Sequence, residues 1–230
     1  MIGQIFICFF LTIALLRNLQ MLSYALMQIN FIFAIVVLVI SVILHEISHG
    51  YVAYFLGDPT AKLQGRLSLN PVKHIDLFGS IIFPVISYML GGVIFGWAKP
   101  VPYNPYNLRG GKWGEAIVAA AGPASNIFLA LVFSLYIRTL GITSFSISTE
   151  ALASYIVLVN IYLAIFNLVP IPPLDGSRIL GSLFPLQFRN FIHKIEAYSF
   201  IILIFFVVFL ATFIQPVVSF LFHLFTGSVL

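Results

Sequence analysis

Long runs of apolar residues, separated by short polar segments, dominate the hydrophobic pattern of the chain. The strongest run covers residues 31–56, and further apolar segments follow at 77–95, 116–140, 151–169 and 197–225. A helix needs about 20 predominantly apolar residues to cross the hydrocarbon core of a bilayer. The pattern therefore predicts an all-α polytopic membrane protein with about 4–6 transmembrane helices.

Composition supports this class and argues against a soluble protein. Hydrophobic residues make up 61% of the chain and charged residues only 8%, whereas soluble domains carry about 25% charged residues. A surface this poor in charge would not be solvated by water, so we expect a lipid bilayer around the protein. The formal net charge of +4 does not indicate nucleic-acid binding, because basic residues in membrane proteins mainly mark cytoplasmic loops.

The chain is predicted to form one membrane-embedded domain over residues 27–230, with its core at 31–195. Residues 1–26 form an N-terminal extension or an extra short helix. Their apolar part, 5–16, has the length of a signal-peptide core, but no small-residue cleavage site follows it. A short span, an interfacial helix and an extension upstream of the true start all remain open.

Two segments depart from a simple helical pattern. Residues 61–70 alternate between apolar and polar side chains, which predicts a short membrane-associated β element. The apolar segment 77–95 contains Pro84 and the pair Gly91-Gly92, and we expect it to re-enter the membrane and return. The alternative is an ordinary transmembrane helix with a kink.

The distribution of basic residues predicts the orientation in the membrane. If the loops after residues 56 and 169 lie on one side, nine of the eleven Lys and Arg residues lie there too: Lys62, Arg66, Lys73, Lys99, Arg109, Lys112, Arg178, Arg189 and Lys194. This bias predicts that the side is cytoplasmic. It requires that residues 77–95 do not cross, because both of their flanks are basic.

The first apolar run contains a motif that carries chemistry. His45-Glu46-Ile47-Ser48-His49 places two imidazoles four residues apart on one helix face, where both can bind one zinc ion. Glu46 can act as general base toward a metal-bound water. Only 14 residues of the run precede His45, so the motif lies roughly 21 Å along the helix, inside the bilayer.

A zinc site with an open position for water needs a third protein ligand. Asp175 is the favoured candidate, because it follows a helix that three prolines, Pro170, Pro172 and Pro173, interrupt. Irregular backbone at membrane depth is expected only at a cavity or a site. Two crossings after the motif helix return the chain to the same side, provided that residues 77–95 do not add a third.

These strings resemble the motifs of the site-2 protease family of intramembrane zinc metalloproteases, peptidase family M50. The resemblance covers roughly residues 30–195 and rests on the His45–His49 motif, the string Gly122-Pro123-Ala124-Ser125-Asn126 and the string Asn167–Gly176, in that order. It is closest to the small prokaryotic members without PDZ or CBS domains. The resemblance implies one zinc ion per chain, bound by His45, His49 and Asp175, with Glu46 as the catalytic residue.

The resemblance also suggests substrate-binding residues. Asn126 would contact the substrate backbone or the developing oxyanion, or alternatively form an interhelical hydrogen bond. Asn167 has the same substrate role open to it, or it caps the broken helix. The alternating segment at 61–69 could accept an unwound substrate by strand addition, or pair only within its own sheet.

The resulting hypothesis is an intramembrane zinc metalloendopeptidase. Its substrates would be membrane proteins with a transmembrane segment, and its location the prokaryotic cell membrane, with the active site toward the cytoplasm. A catalytically inactive metal-binding adaptor is one alternative, although an adaptor has no need for the buried Glu46. A metal or ion transporter is the other, although the chain lacks the repeated halves common in transporters. The substrate and the oligomeric state stay open.

Overall fold

The computed structural model describes residues 31–82, 85–86, 89, 98–140, 147–184 and 199–228. Within these ranges the fold is helical, with α1 at Phe31–Phe55, α2 at Thr60–Leu63, α3 at Lys112–Leu140, α4 at Ile147–Leu168, α5 at Asp175–Leu183 and α6 at Ser199–Thr226. Short 3₁₀ turns lie at Pro71–His74 and Pro105–Asn107, and a π-helical turn at Leu77–Ile82.

Three of the described helices are long and apolar enough to cross a membrane: Phe33–Phe55, Lys112–Thr139 and Thr149–Leu168. A shorter apolar helical stretch occupies Phe213–Thr226. The chain is therefore an integral membrane protein. The prediction of four to six spans stays a prediction, as does the prediction for residues 1–26, which lie outside the described residues.

Helix α4 forms the centre of the bundle. Almost every side chain from Val157 to Ala164 is buried, because the helix packs against α1, α3 and α6 on different sides. Tyr162 and Phe166 are the largest of its fully buried side chains. A helix that is apolar on all faces suits such a central position, and it provides a fixed support for the two helices that build the site.

The outer faces of α1 and α3 carry the apolar residues that the central helix does not cover. Ile35, Val36, Val39 and Ile40 are exposed on α1, as expected for side chains that face lipid. Arg138, one of the two basic residues outside the predicted cytoplasmic set, donates hydrogen bonds to the carbonyls of Leu224 and Phe225. It thereby caps the carboxyl-terminal end of α6.

The predicted β element at 61–70 is wrong. Residues 60–63 form the short helix α2, and Gly65 turns the chain with a φ of 63°. The alternation groups Arg66 with the polar residues and Leu63 with the apolar ones, but the polar Arg66 is 7% exposed and the apolar Leu63 is 80% exposed. Arg66 turns inward because its guanidinium hydrogen-bonds loop carbonyls, and this outweighs the local pattern.

The predicted re-entrant segment lies largely outside the described residues. Its first part, Leu77–Ile82, is a π-helical turn. The residues on either side of the segment contact each other: the backbone N–H of Lys99 donates a hydrogen bond of 2.8 Å to the carbonyl of His74.

Candidate metal centre

The metal-site motif lies on the buried face of α1, within the candidate span Phe33–Phe55. His45, Glu46 and His49 are all buried. One helical turn separates the two imidazoles, whose rings meet edge to face with centroids 4.7 Å apart and Nε2 atoms 3.1 Å apart. Both Nε2 atoms therefore point to one position.

The broken segment after α4 brings Asp175 to that position. Residues 169–174 leave the helical path, and α5 begins at Asp175. The turn is tight, since a Cβ atom added to Gly176 would lie 2.2 Å from the carbonyl oxygen of Leu168. Asp175 Oδ2 lies 3.1 Å from His45 Nε2 and 3.3 Å from His49 Nε2. The structure thus brings the three predicted ligands, His45, His49 and Asp175, close together.

The three donor atoms fit the predicted zinc ion. They form a triangle with sides of 3.1–3.3 Å. Ligands held at about 2.0–2.1 Å by a tetrahedral zinc lie roughly 3.3 Å apart. Gly122 on α3 leaves the necessary space, because a Cβ atom there would lie 2.4 Å from His49 Nε2 and 2.5 Å from His45 Nε2. A side chain at this position would fill the space that a metal needs.

Hydrogen bonds from α3 orient both imidazoles. Nδ1 of His45 lies 2.6 Å from Asn126 Oδ1, and Nδ1 of His49 lies 2.7 Å from the carbonyl of Val118. Because both partners are acceptors, each Nδ1 carries the hydrogen, and each Nε2 presents its lone pair to the metal position. Metal-binding histidines commonly have this arrangement.

Asn126 is completely buried and belongs to a polar network between helices. Its amide donates to Asn160 Oδ1 over 2.8 Å, and Asn160 in turn donates to Ser41 Oγ over 3.0 Å. These contacts favour the interhelical interpretation of Asn126 over direct contact with substrate. The sequence analysis did not predict a role for Asn160, although an asparagine in the middle of an apolar span indicates a polar contact between helices.

Glu46 lines the same cavity as the three candidate ligands, and a loop contacts its carboxylate. Its Oε2 accepts the backbone N–H of Val101 over 2.7 Å. The preceding carbonyls of Lys99 and Pro100 accept hydrogen bonds from Arg66, at 2.6 and 3.1 Å. Arg66, which also donates to the carbonyl of Lys73, therefore fixes the loop that contacts Glu46. No sequence pattern beyond the positive charge of Arg66 indicated this role.

A cavity of about 220 Å³ opens beside these groups. The cavity is lined by three residues of the motif, by a loop and by residues from other parts of the chain: His45, Glu46, His49, Pro100 to Tyr103, Ala119, Asn167, Pro173, Asp175 and Arg178. Asn167 lines this cavity and also donates from its amide to the carbonyl of Leu163 over 2.8 Å. Its position is consistent with both the capping and the substrate interpretations.

Tyr103 lines the cavity beside Asp175 and Arg178. Burial raises the pKa of its phenol, so Tyr103 is neutral.

Comparisons with known proteins identify related zinc metalloproteases. The model of Peptidase family M50 matches residues 137–210. "Putative zinc metalloprotease YwhC" of Bacillus subtilis is 39% identical over 194 residues, which cover 82% of this chain and 83% of the relative. No solved structure matches the chain.

Two mycobacterial relatives are more distant. "Putative zinc metalloprotease Rip2" of Mycolicibacterium smegmatis is 31% identical, and the protein of the same name from Mycobacterium tuberculosis is 26% identical. Each match covers 65% of this chain and 56% of the relative. The similarity to the Bacillus protein extends over most of both chains, and on that basis this chain belongs to peptidase family M50.

Proposed function

We propose that the chain is a zinc metalloprotease that cleaves peptide bonds of membrane-embedded substrates. The observation that carries this proposal is the donor triangle of His45, His49 and Asp175, with sides of 3.1–3.3 Å. The relatives' names, as zinc metalloproteases, support the same metal and reaction class.

His45 and His49 would hold the metal through Nε2, and Asp175 through a carboxylate oxygen. When bound, zinc acts as a Lewis acid toward the scissile carbonyl and makes water a stronger acid. The acceptors at Nδ1 of each histidine fix the tautomer in which Nε2 presents its lone pair to the metal position. Three protein ligands would leave the metal a further position for water or substrate.

Glu46 moves the proton. The Val101 N–H engages Oε2 and leaves Oε1 as the oxygen that takes a proton from the attacking water. A carbon–oxygen bond forms at the scissile carbonyl, and the carbon–nitrogen bond then breaks as Glu46 delivers the proton to the leaving amine. The carboxylate is thereby regenerated for the next cycle.

Helix α1 and the loop contacts support a site that lies within the membrane. The motif lies within an apolar span, so a substrate reaching it would be within or at the edge of the bilayer. The bond between Lys99 N–H and His74 carbonyl supports a segment that leaves and returns on one side. With the basic loops on that side, the site would face the cytoplasm.

The decisive experiment compares the wild type with Glu46→Gln in native membranes, by mass spectrometry of protein fragments. Zinc content is measured on both purified proteins. We expect one zinc per chain in both, and fragments that appear only with the wild type. Zinc binding with no difference in fragments would favour the inactive adaptor, and cleavage retained by Glu46→Gln would refute the assigned base.

A further inference from the structure

Arg178 places a positive charge in the wall of the cavity. It lies three residues after Asp175 on α5, so both side chains are on the same face of that helix, and both line the cavity beside Glu46. The proposed chemistry uses Glu46 and Asp175 but assigns nothing to Arg178.

Tyr103 holds the guanidinium in place. The guanidinium donates a hydrogen bond to the phenol oxygen and lies over the ring, with its central carbon 5.3 Å from the centroid. Because burial raises the pKa of Tyr103, the phenol is neutral and does not offset the charge of Arg178. The contact orients the cation without neutralising it.

Arg178 is the one Lys or Arg side chain in the lining of this cavity. The two histidines bind metal as neutral groups, and the carboxylates of Glu46 and Asp175 would offset the two charges of zinc. Asp175 and Glu115 interact electrostatically with Arg178 and favour its charged form, and the guanidinium would attract an entering anion. Arginine presents paired N–H groups that match a carboxylate in two parallel hydrogen bonds.

We infer that Arg178 binds a carboxylate of the peptide substrate, close to the bond that is cleaved. This rests on the proposed function, and it narrows the substrate class to peptides that carry an anion beside the scissile bond. Two sources offer that chemistry: an Asp or Glu side chain, and the carboxyl terminus of an already shortened chain.

Binding of small zinc-directed ligands tests this without any turnover. Three mercaptoacetyl dipeptides share the metal-binding thiol and differ in their carboxylates. Mercaptoacetyl-Leu-Asn-amide has no carboxylate, and mercaptoacetyl-Leu-Asp-amide has one on its side chain. Mercaptoacetyl-Leu-Asn with a free carboxyl terminus has one at the end of the chain. Affinities are measured by calorimetry on zinc-loaded protein in detergent. We expect at least one acidic ligand to bind about tenfold or more tightly than the neutral one, and the tighter of the two identifies the source.

Variants assign that preference to Arg178. In Arg178→Gln the acidic and neutral ligands should bind alike, while zinc content and the affinity of the neutral ligand stay unchanged. Tyr103→Phe, which keeps the ring but loses the phenol oxygen, should reduce the preference. Arg109→Gln removes an exposed cation that does not line the cavity, and should retain the full preference.

The inference is overturned if the wild type binds all three ligands equally, or if zinc-loaded Arg178→Gln keeps the preference of the wild type. These results differ from a failure of the proposed function. Protein that binds no zinc would bind none of the three thiols, whereas zinc-loaded protein with equal affinities leaves the protease intact. The wild-type comparison needs no variant, so it stands even if Arg178→Gln does not fold.

Discussion

The backbone N–H of Val101 donates a hydrogen bond of 2.7 Å to Oε2 of Glu46, across 55 positions of the sequence. The proposed catalytic carboxylate is thus positioned by a loop, and the loop is held by the buried guanidinium of Arg66. Activity should therefore depend on residues that touch neither metal nor substrate.

Arg66 provides the first test of that dependence. Arg66→Gln removes the donors to the carbonyls of Lys73, Lys99 and Pro100, and a carbonyl left unpaired away from water costs about 1–3 kcal/mol. We expect a lower thermal midpoint in detergent and a loss of cleavage of roughly 100-fold, with zinc still bound. Lys99→Gln is the matched control, because that side chain is exposed on the same loop and its carbonyl remains. Equal activity of the two variants would contradict this role.

Gly122→Ala should abolish zinc binding. The new methyl group would lie 2.4–2.5 Å from the two Nε2 atoms that face the metal position, and α3 is too closely packed against α1 to move away. Zinc content by elemental analysis measures the effect. Ala124→Ser, at an exposed position on the same turn, should keep one zinc per chain. A Gly122→Ala protein with full zinc content would show that the metal lies elsewhere.

Asn126 can be assigned by separating zinc affinity from turnover. Asn126→Ala removes the acceptor for Nδ1 of His45, and loss of such a partner typically lowers metal affinity by about 10–100-fold. Asn126→Asp keeps an acceptor there and should retain zinc. If Asn126 instead stabilises the oxyanion, Asn126→Ala will bind zinc normally and lose only turnover, as measured by competition with a chelator and by cleavage at saturating zinc.

Asp58 should make stability depend on pH. Burial tends to raise the pKa of this carboxyl, but hydrogen bonds from Thr60, Asn107 and the N–H of Asn104 outweigh burial and lower it. A lowered folded-state pKa means that the stabilisation is complete above the unfolded value of about 3.9 and is lost as pH falls through the folded-state value.

The matched variant for this test is Asp58→Asn. At pH 7 it should unfold more easily than the wild type by about 2 kcal/mol, because charge-assisted hydrogen bonds are lost. The difference should shrink as the pH falls below about 4. Thermal unfolding in detergent from pH 7 to pH 3 measures both effects. A difference that is constant over this range would mean that the charge of Asp58 does not contribute.

The apolar runs predicted the three candidate spans that contain His45, Asn126 and Asn160, because a bilayer demands continuous apolar helices whatever their neighbours. The alternation at 61–70 failed, because a period-two pattern over a few residues does not reveal that Arg66 turns inward to three carbonyls. Local pattern reports a preference, and the contacts of a buried cation outweigh it.

The sequence by itself determined the membrane class and the donor types of the candidate metal site. It also favoured Asp175 as the third ligand, because Asp175 follows a helix that prolines interrupt. Only the tertiary structure decided that Gly122 clears the metal position, that Val101 engages Glu46, and that Tyr103 presents Arg178 to the cavity. Those relationships join residues that are 55 to 77 positions apart, and no local periodicity encodes them. They depend on how the helices and loops pack, because distances of 2–3 Å are fixed by the whole fold.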